Sequence, residues 1–125
     1  MKLDESSLLL IADIHPDLKH IVQELSKEIE IVVKTGHRDH AAQVNAFNLG
    51  HSRYVWPNSK HNTLPSLAVD IVPKDAKPDD VYKFRDMCRR IERIADLAAI
   101  KIQLGRDFPF REYCHIQLHH KGKKS

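Results

Sequence analysis

Three side chains pair a possible ligand atom with a backbone setting that would hold it still. His61 lies in a long irregular stretch just before a strand, Asp70 lies inside the apolar segment that follows, and His115 lies in a second short apolar segment. Alternation along 67–72 puts Ala68, Asp70 and Val72 on one face and Leu67, Val69 and Ile71 on the other. A carboxylate on so apolar a strand needs a partner, because burying it unpaired is costly enough to shift its pKa. Two imidazoles and a carboxylate form an N,N,O donor set suited to tetrahedral zinc, with the fourth position left for water as in catalytic sites. Glu112 stands three residues before His115, where an acid can take a proton from that water and pass it to a leaving amine. Cys114 alternates to the face opposite His115 and reads as a small core residue. Each residue also has a plainer reading. A strand aspartate is commonly paired with Arg or Lys, a strand histidine commonly makes a structural hydrogen bond, and Glu112 alone is a loop acid. The residues by themselves leave both readings open.

These side chains must be positioned by short elements. A first helix is expected from Pro16, with Asp17 in its first turn and an apolar stripe of Leu18, Ile21, Val22, Leu25 and Ile29. Residues 30–35 are rich in β-branched side chains and read as a strand stopped by Gly36. Asp39 is a suitable cap for a second helix that Gly50 closes. Residues 51–66 have no usable period and contain Pro57, Pro65 and the single Trp, so they read as a long, functional loop. Leu67 to Val72 is a strand ended by Pro73. A third helix opens at Pro78-Asp79-Asp80, with Val81, Phe84, Cys88, Ile91, Ala95 and Ala98 facing inward. Ile100 to Leu104 and Cys114 to Leu118 complete the strands, with a loop from Gly105 to Arg111. Several connections are too short for parallel crossovers. The expected fold is therefore α+β, a small antiparallel sheet flanked by helices.

Composition narrows the function. The 125 residues suit one domain, expected over 1–118 with a basic tail at 119–125. Lys and Arg total 20 against 17 acids, but Lys121, Lys123 and Lys124 supply the whole excess. A neutral body lacks the basic stripe expected of a nucleic-acid binder. The longest apolar run, Leu8 to Ala12, is too short to insert in a membrane and lacks the flanks of a secretory signal. Cys88 and Cys114 make no disulfide framework. Histidine is the outlier, with nine in the chain. Of these, His15, His20, His37, His40 and His51 read as solvated, with His37 the one possible exception, and His119 and His120 as tail.

Ser59-Lys60-His61 followed by Ala68-Val69-Asp70 resembles the S-x-H … A-x-D signature of the LAS zinc peptidases. That group holds D-alanyl-D-alanine carboxypeptidases, the L-alanyl-D-glutamate endopeptidases of phage lysins and the hedgehog signalling domain. Glu112-Tyr113-Cys114-His115-Ile116-Gln117-Leu118 resembles the family's acid-x-x-His-aromatic-acid/amide-Leu ending. Gly105-Arg106-Asp107-Phe108 sits where many phage members have Gly-Gly-Asp-Trp. Upstream, His15-Pro16-Asp17-Leu18 and Thr35-Gly36-His37-Arg38, with Gln43 five residues on, resemble the phage members' first helix and G-x-R … Q segment. There are departures. The offset from His61 to Asp70 is nine, where the common form has seven, Ile116 replaces the usual aromatic, and Arg106 replaces a Gly.

The resemblance implies a hedgehog/D-Ala-D-Ala-peptidase-like fold with His61, Asp70 and His115 as zinc ligands. It implies Glu112 as general base, Arg38 as the cation that assists the substrate or its developing oxyanion, and Ser59 as support for the first ligand's loop. The expected function is a zinc-dependent peptidoglycan hydrolase of the bacteriophage endolysin type, acting as a monomer on the stem peptide at the L-Ala-D-Glu bond. It would be held in the host cytoplasm until released to the cell wall. D-Ala-D-Ala carboxypeptidase activity, or a non-catalytic zinc-containing peptide-binding module, are the alternatives.

Overall fold

The computed structural model describes residues 3–105 and 115–118. Glu112, Cys114, the loop before them and the basic tail lie outside the described residues. The chain opens with a helix that sequence periodicity does not announce, α1 (Glu5–Ile11). Its signal is local: Asp4 caps it, accepting from the Ser7 N–H at 2.7 Å, and Glu5 follows in the first turn. The expectation that the first helix begins at Pro16 is therefore corrected to the second. That helix, α2 (Pro16–Ser26), starts at the anticipated proline. Then come β1 (Ile31–Thr35), α3 (His40–Asn48), the long loop with one 3₁₀ turn at Lys60–Asn62, β2 (Ala68–Pro73), α4 (Val81–Leu97), β3 (Ile102–Leu104) and β4 (His115–Leu118).

The strands form one sheet in the order β1-β2-β4-β3, every pair antiparallel, which bears out the α+β expectation. One face packs against α2 and α4. Leu18, Ile21, Val22 and Leu25 of α2, Met87, Cys88 and Ile91 of α4, and Val69 and Ile71 of β2 are wholly buried there. Ile29 lies past the end of α2 and packs on this core from outside. The inward stripe of α4 is shorter than expected. Val81, the first residue of the helix, and Ala98, its C-cap, are exposed, while Met87 and Ile94 are buried.

Two features aim the chain toward the other face. The β1–β2 register shifts between Val33 and Thr35, a bulge that re-aims the strand end and brings Thr35 opposite Asp70. Gly36 follows it. A Cβ there would meet the Leu10 carbonyl oxygen at 2.3 Å, so only glycine fits against α1. The outer edge of β1 is closed by the same helix, since the Val33 N–H donates to Ser7 Oγ at 2.9 Å.

Candidate metal centre

The sheet face away from the core carries the predicted residues. Asp70 on β2 and His115 on β4 are direct cross-strand partners, which brings together two residues 45 apart in sequence. His61 comes from the loop and is delivered by the 3₁₀ turn. Ser59 caps that turn through a reciprocal pair: its hydroxyl accepts from the His61 N–H, and its own N–H donates to Asn62 Oδ1. The Arg38 N–H donates to the His61 carbonyl at 2.8 Å, and the Leu67 N–H to the Lys60 carbonyl at 2.9 Å. The loop is thus pinned on both sides of the histidine.

The ligand-type atoms of His61, Asp70 and His115 all lie within 4.8 Å of one another. His61 is 2% exposed and donates Nδ1–H to the Gly36 carbonyl at 2.7 Å. Its neutral ring then carries a lone pair on Nε2. That atom is buried without a hydrogen-bond partner and lies 3.4 Å from Asp70 Oδ2. His115 is arranged the same way with the nitrogens exchanged. Nε2 faces Gln117 Oε1 at 2.9 Å, and Nδ1 faces Asp70 Oδ1 at 2.9 Å. When those same nitrogens carry hydrogen instead, they point it at Asp70: burial opposes the carboxylate's charge, but hydrogen bonds from His115 and then His61, with their positive charge, outweigh it. The carboxyl is held well below the usual carboxylate range. The three ligand atoms converge closely enough to hold a cation, and the donor set N,N,O fits a divalent metal.

A cavity of about 130 Å³ opens over these atoms, walled by Arg38, Tyr54 and Lys60 among others. Arg38 Nη2 is 3.9 Å from Asp70 Oδ2. Its other terminal nitrogen donates to Gln43 Oε1 at 3.1 Å. Gln43 is fully buried and uses all four of its hydrogen-bonding positions. Oε1 accepts from Arg38 and from Asn62 Nδ2 at 3.0 Å, while Nε2 donates to Ser52 Oγ at 2.9 Å and to the Tyr54 carbonyl at 2.7 Å. One amide therefore ties α3, the loop, the Arg38 segment and the His61 turn together.

Among the predicted site residues, the structure gathers His61, Asp70, His115 and Arg38, while Glu112 lies outside the described residues. His51 is exposed on the cavity wall and outside the ligand group. His15 is not merely solvated: it caps α2, its Nδ1 accepting from the Asp17 N–H at 3.0 Å. Sequence reasoning gave no role to Asn62 or to the supporting contact of Gln117. A signal existed for Asn62, since Ser59-x-x-Asn62 has capping-box spacing.

Among the described residues, no helix is long and apolar enough to cross a membrane. Neither a protein-family model nor a curated protein matches the chain. Its fold is similar to a solved structure, the crystal structure of the Serratia marcescens L-Ala D-Glu endopeptidase ChiX. The TM-score is 0.78 at 22% identity, and the match covers 94% of this chain and 90% of that one.

Proposed function

We propose that this chain is a zinc-dependent peptidoglycan peptidase of the small lysin type, cutting the stem peptide at the L-Ala-D-Glu bond. The observation that carries this reading is His61 Nε2, a buried lone pair with no partner that faces Asp70 beside His115. The endopeptidase activity named for the similar fold supports the substrate class. His61, Asp70 and His115 would hold the ion. When bound, zinc supplies Lewis acidity, polarising a carbonyl and making water a competent nucleophile near neutral pH.

The chain's own residues do the rest. Arg38, held by Gln43, sets a fixed positive charge on the cavity wall, where it stabilises negative charge developing on the substrate carbonyl oxygen. Because the charge is pre-oriented, little reorganisation is needed as the reaction proceeds. Glu112 takes the proton from the attacking water and returns it to the departing nitrogen.

Mass spectrometry of purified peptidoglycan after digestion tests this. The expected products carry a new D-Glu amino terminus, disappear on strong chelation and return with added zinc. Glu112→Gln should keep its zinc and slow cleavage by about 10²- to 10⁴-fold. Cleavage that survives chelation overturns the metal reading. Release of terminal D-Ala alone assigns a carboxypeptidase, and zinc uptake without any cleavage assigns a binding module.

A further inference from the structure

We infer that Gln117, itself oriented by Gln103 on the edge strand, is a positioning residue that fixes which nitrogen of His115 faces the metal. The inference rests on the metal reading above and extends it to residues outside the ligand set. Gln103 and Gln117 are direct cross-strand partners on β3 and β4, and Gln117 lies two residues from His115 on the same face. Gln117 Nε2 donates to Gln103 Oε1 at 2.9 Å, and Gln117 Oε1 stands 2.9 Å from His115 Nε2.

A glutamine amide has a donor end and an acceptor end, and by itself it turns either way. Here Gln103 takes the donor end. The acceptor end is then presented to His115, whose Nε2 must carry the hydrogen. In the neutral ring the lone pair falls on Nδ1, the atom 2.9 Å from Asp70 Oδ1. His61 reaches the same condition by a different route, donating Nδ1–H to the backbone carbonyl of Gly36. A backbone carbonyl cannot flip, whereas a side-chain amide can. Gln103, by taking the donor end, biases Gln117 toward the orientation that accepts from His115.

Removing an orienting partner of a metal-bound histidine typically lowers metal affinity about 10- to 100-fold. Zinc affinity, read by competition with a chromophoric chelator, should fall by about that factor in Gln117→Leu. The visible absorption of the cobalt-substituted protein should change as well. Gln117→Glu should restore affinity, because a carboxylate accepts the Nε2–H from either oxygen. Gln103→Leu should weaken zinc binding by less in the parent, and not at all beside Gln117→Glu, where no amide remains to be oriented. If Gln117→Leu does not fold, the Gln103→Leu pair still decides. Equal effects of Gln103→Leu in both backgrounds overturn the relay, as does a folded Gln117→Leu that binds zinc like the parent. Those results leave the metal reading standing. A parent that takes up no zinc overturns both.

Discussion

The two faces of the sheet are made from alternate residues of the same strands, yet they obey different physics. On one face Val69 and Ile71 of β2 and Ile116 and Leu118 of β4 are essentially inaccessible and pack on α2 and α4. On the other, Asp70, His115 and Gln117 form a polar row completed by His61 from the loop. The apolar face gains stability from area removed from water, which has no direction. The polar face depends on which atom points where, and each group there needs a named partner. Because the strand period is two, a slip of one residue would exchange the faces. The strong preference of Val69, Ile71 and Ile116 for the core therefore also locks the register that sets Asp70 opposite His115.

The sharpest way to break this comparison is to mutate neighbours. Ile71→Ala should cost about 2–5 kcal/mol of stability by urea unfolding, while zinc affinity of the folded protein stays near the parent's. Asp70→Asn, one residue away, should lose zinc while costing less stability than Ile71→Ala. If both variants unfold to the same extent, the faces are not separable. Gln43→Leu tests the border between them. It leaves Arg38, Asn62 and the Tyr54 carbonyl without their shared partner, so a loss of about 1–3 kcal/mol is expected together with slower peptidoglycan cleavage. A neutral outcome would mean that the loop holds His61 without this hub.

The smallest effect belongs to the helix layer behind the core. Glu28 accepts from Arg93 and, at 3.0 Å, from Arg90 Nη1, joining the turn after α2 to α4. The Arg93 hydrogen bond, above all, holds its carboxyl below the usual range. A depressed folded pKa gives stability that is present above the unfolded value, about 4.3, and is lost as pH falls through the folded one. Glu28→Gln should cost at most about 1 kcal/mol near neutral pH. The gap from the parent should close below about pH 4, as urea midpoints at both pH values would show. Zinc affinity should not move.

Local rules in the sequence determined much of this protein. The Pro16 helix start, the Asp39 cap, the β-branched run of β1 and the alternation of β2 each depend on residues within one or two turns of chain. The same local reading singled out His61, Asp70 and His115, because a charge or imidazole in an apolar setting stands out without knowledge of its neighbours. Tertiary structure decided what those residues meet. The β2–β4 register made Asp70 and His115 partners, and the β1 bulge and Gly36 gave His61 its carbonyl acceptor. Burial of Gln43 turned an ordinary helix position into the hub of the site. α1 was missed because it is only seven residues long and buries, beside Ile11, the polar Ser7, whose burial makes sense only against the edge of β1. Helix caps and strand periods are set by bonds a few residues apart, whereas a lone pair finds its partner across tens of residues, through pairings that exist only once the chain has folded.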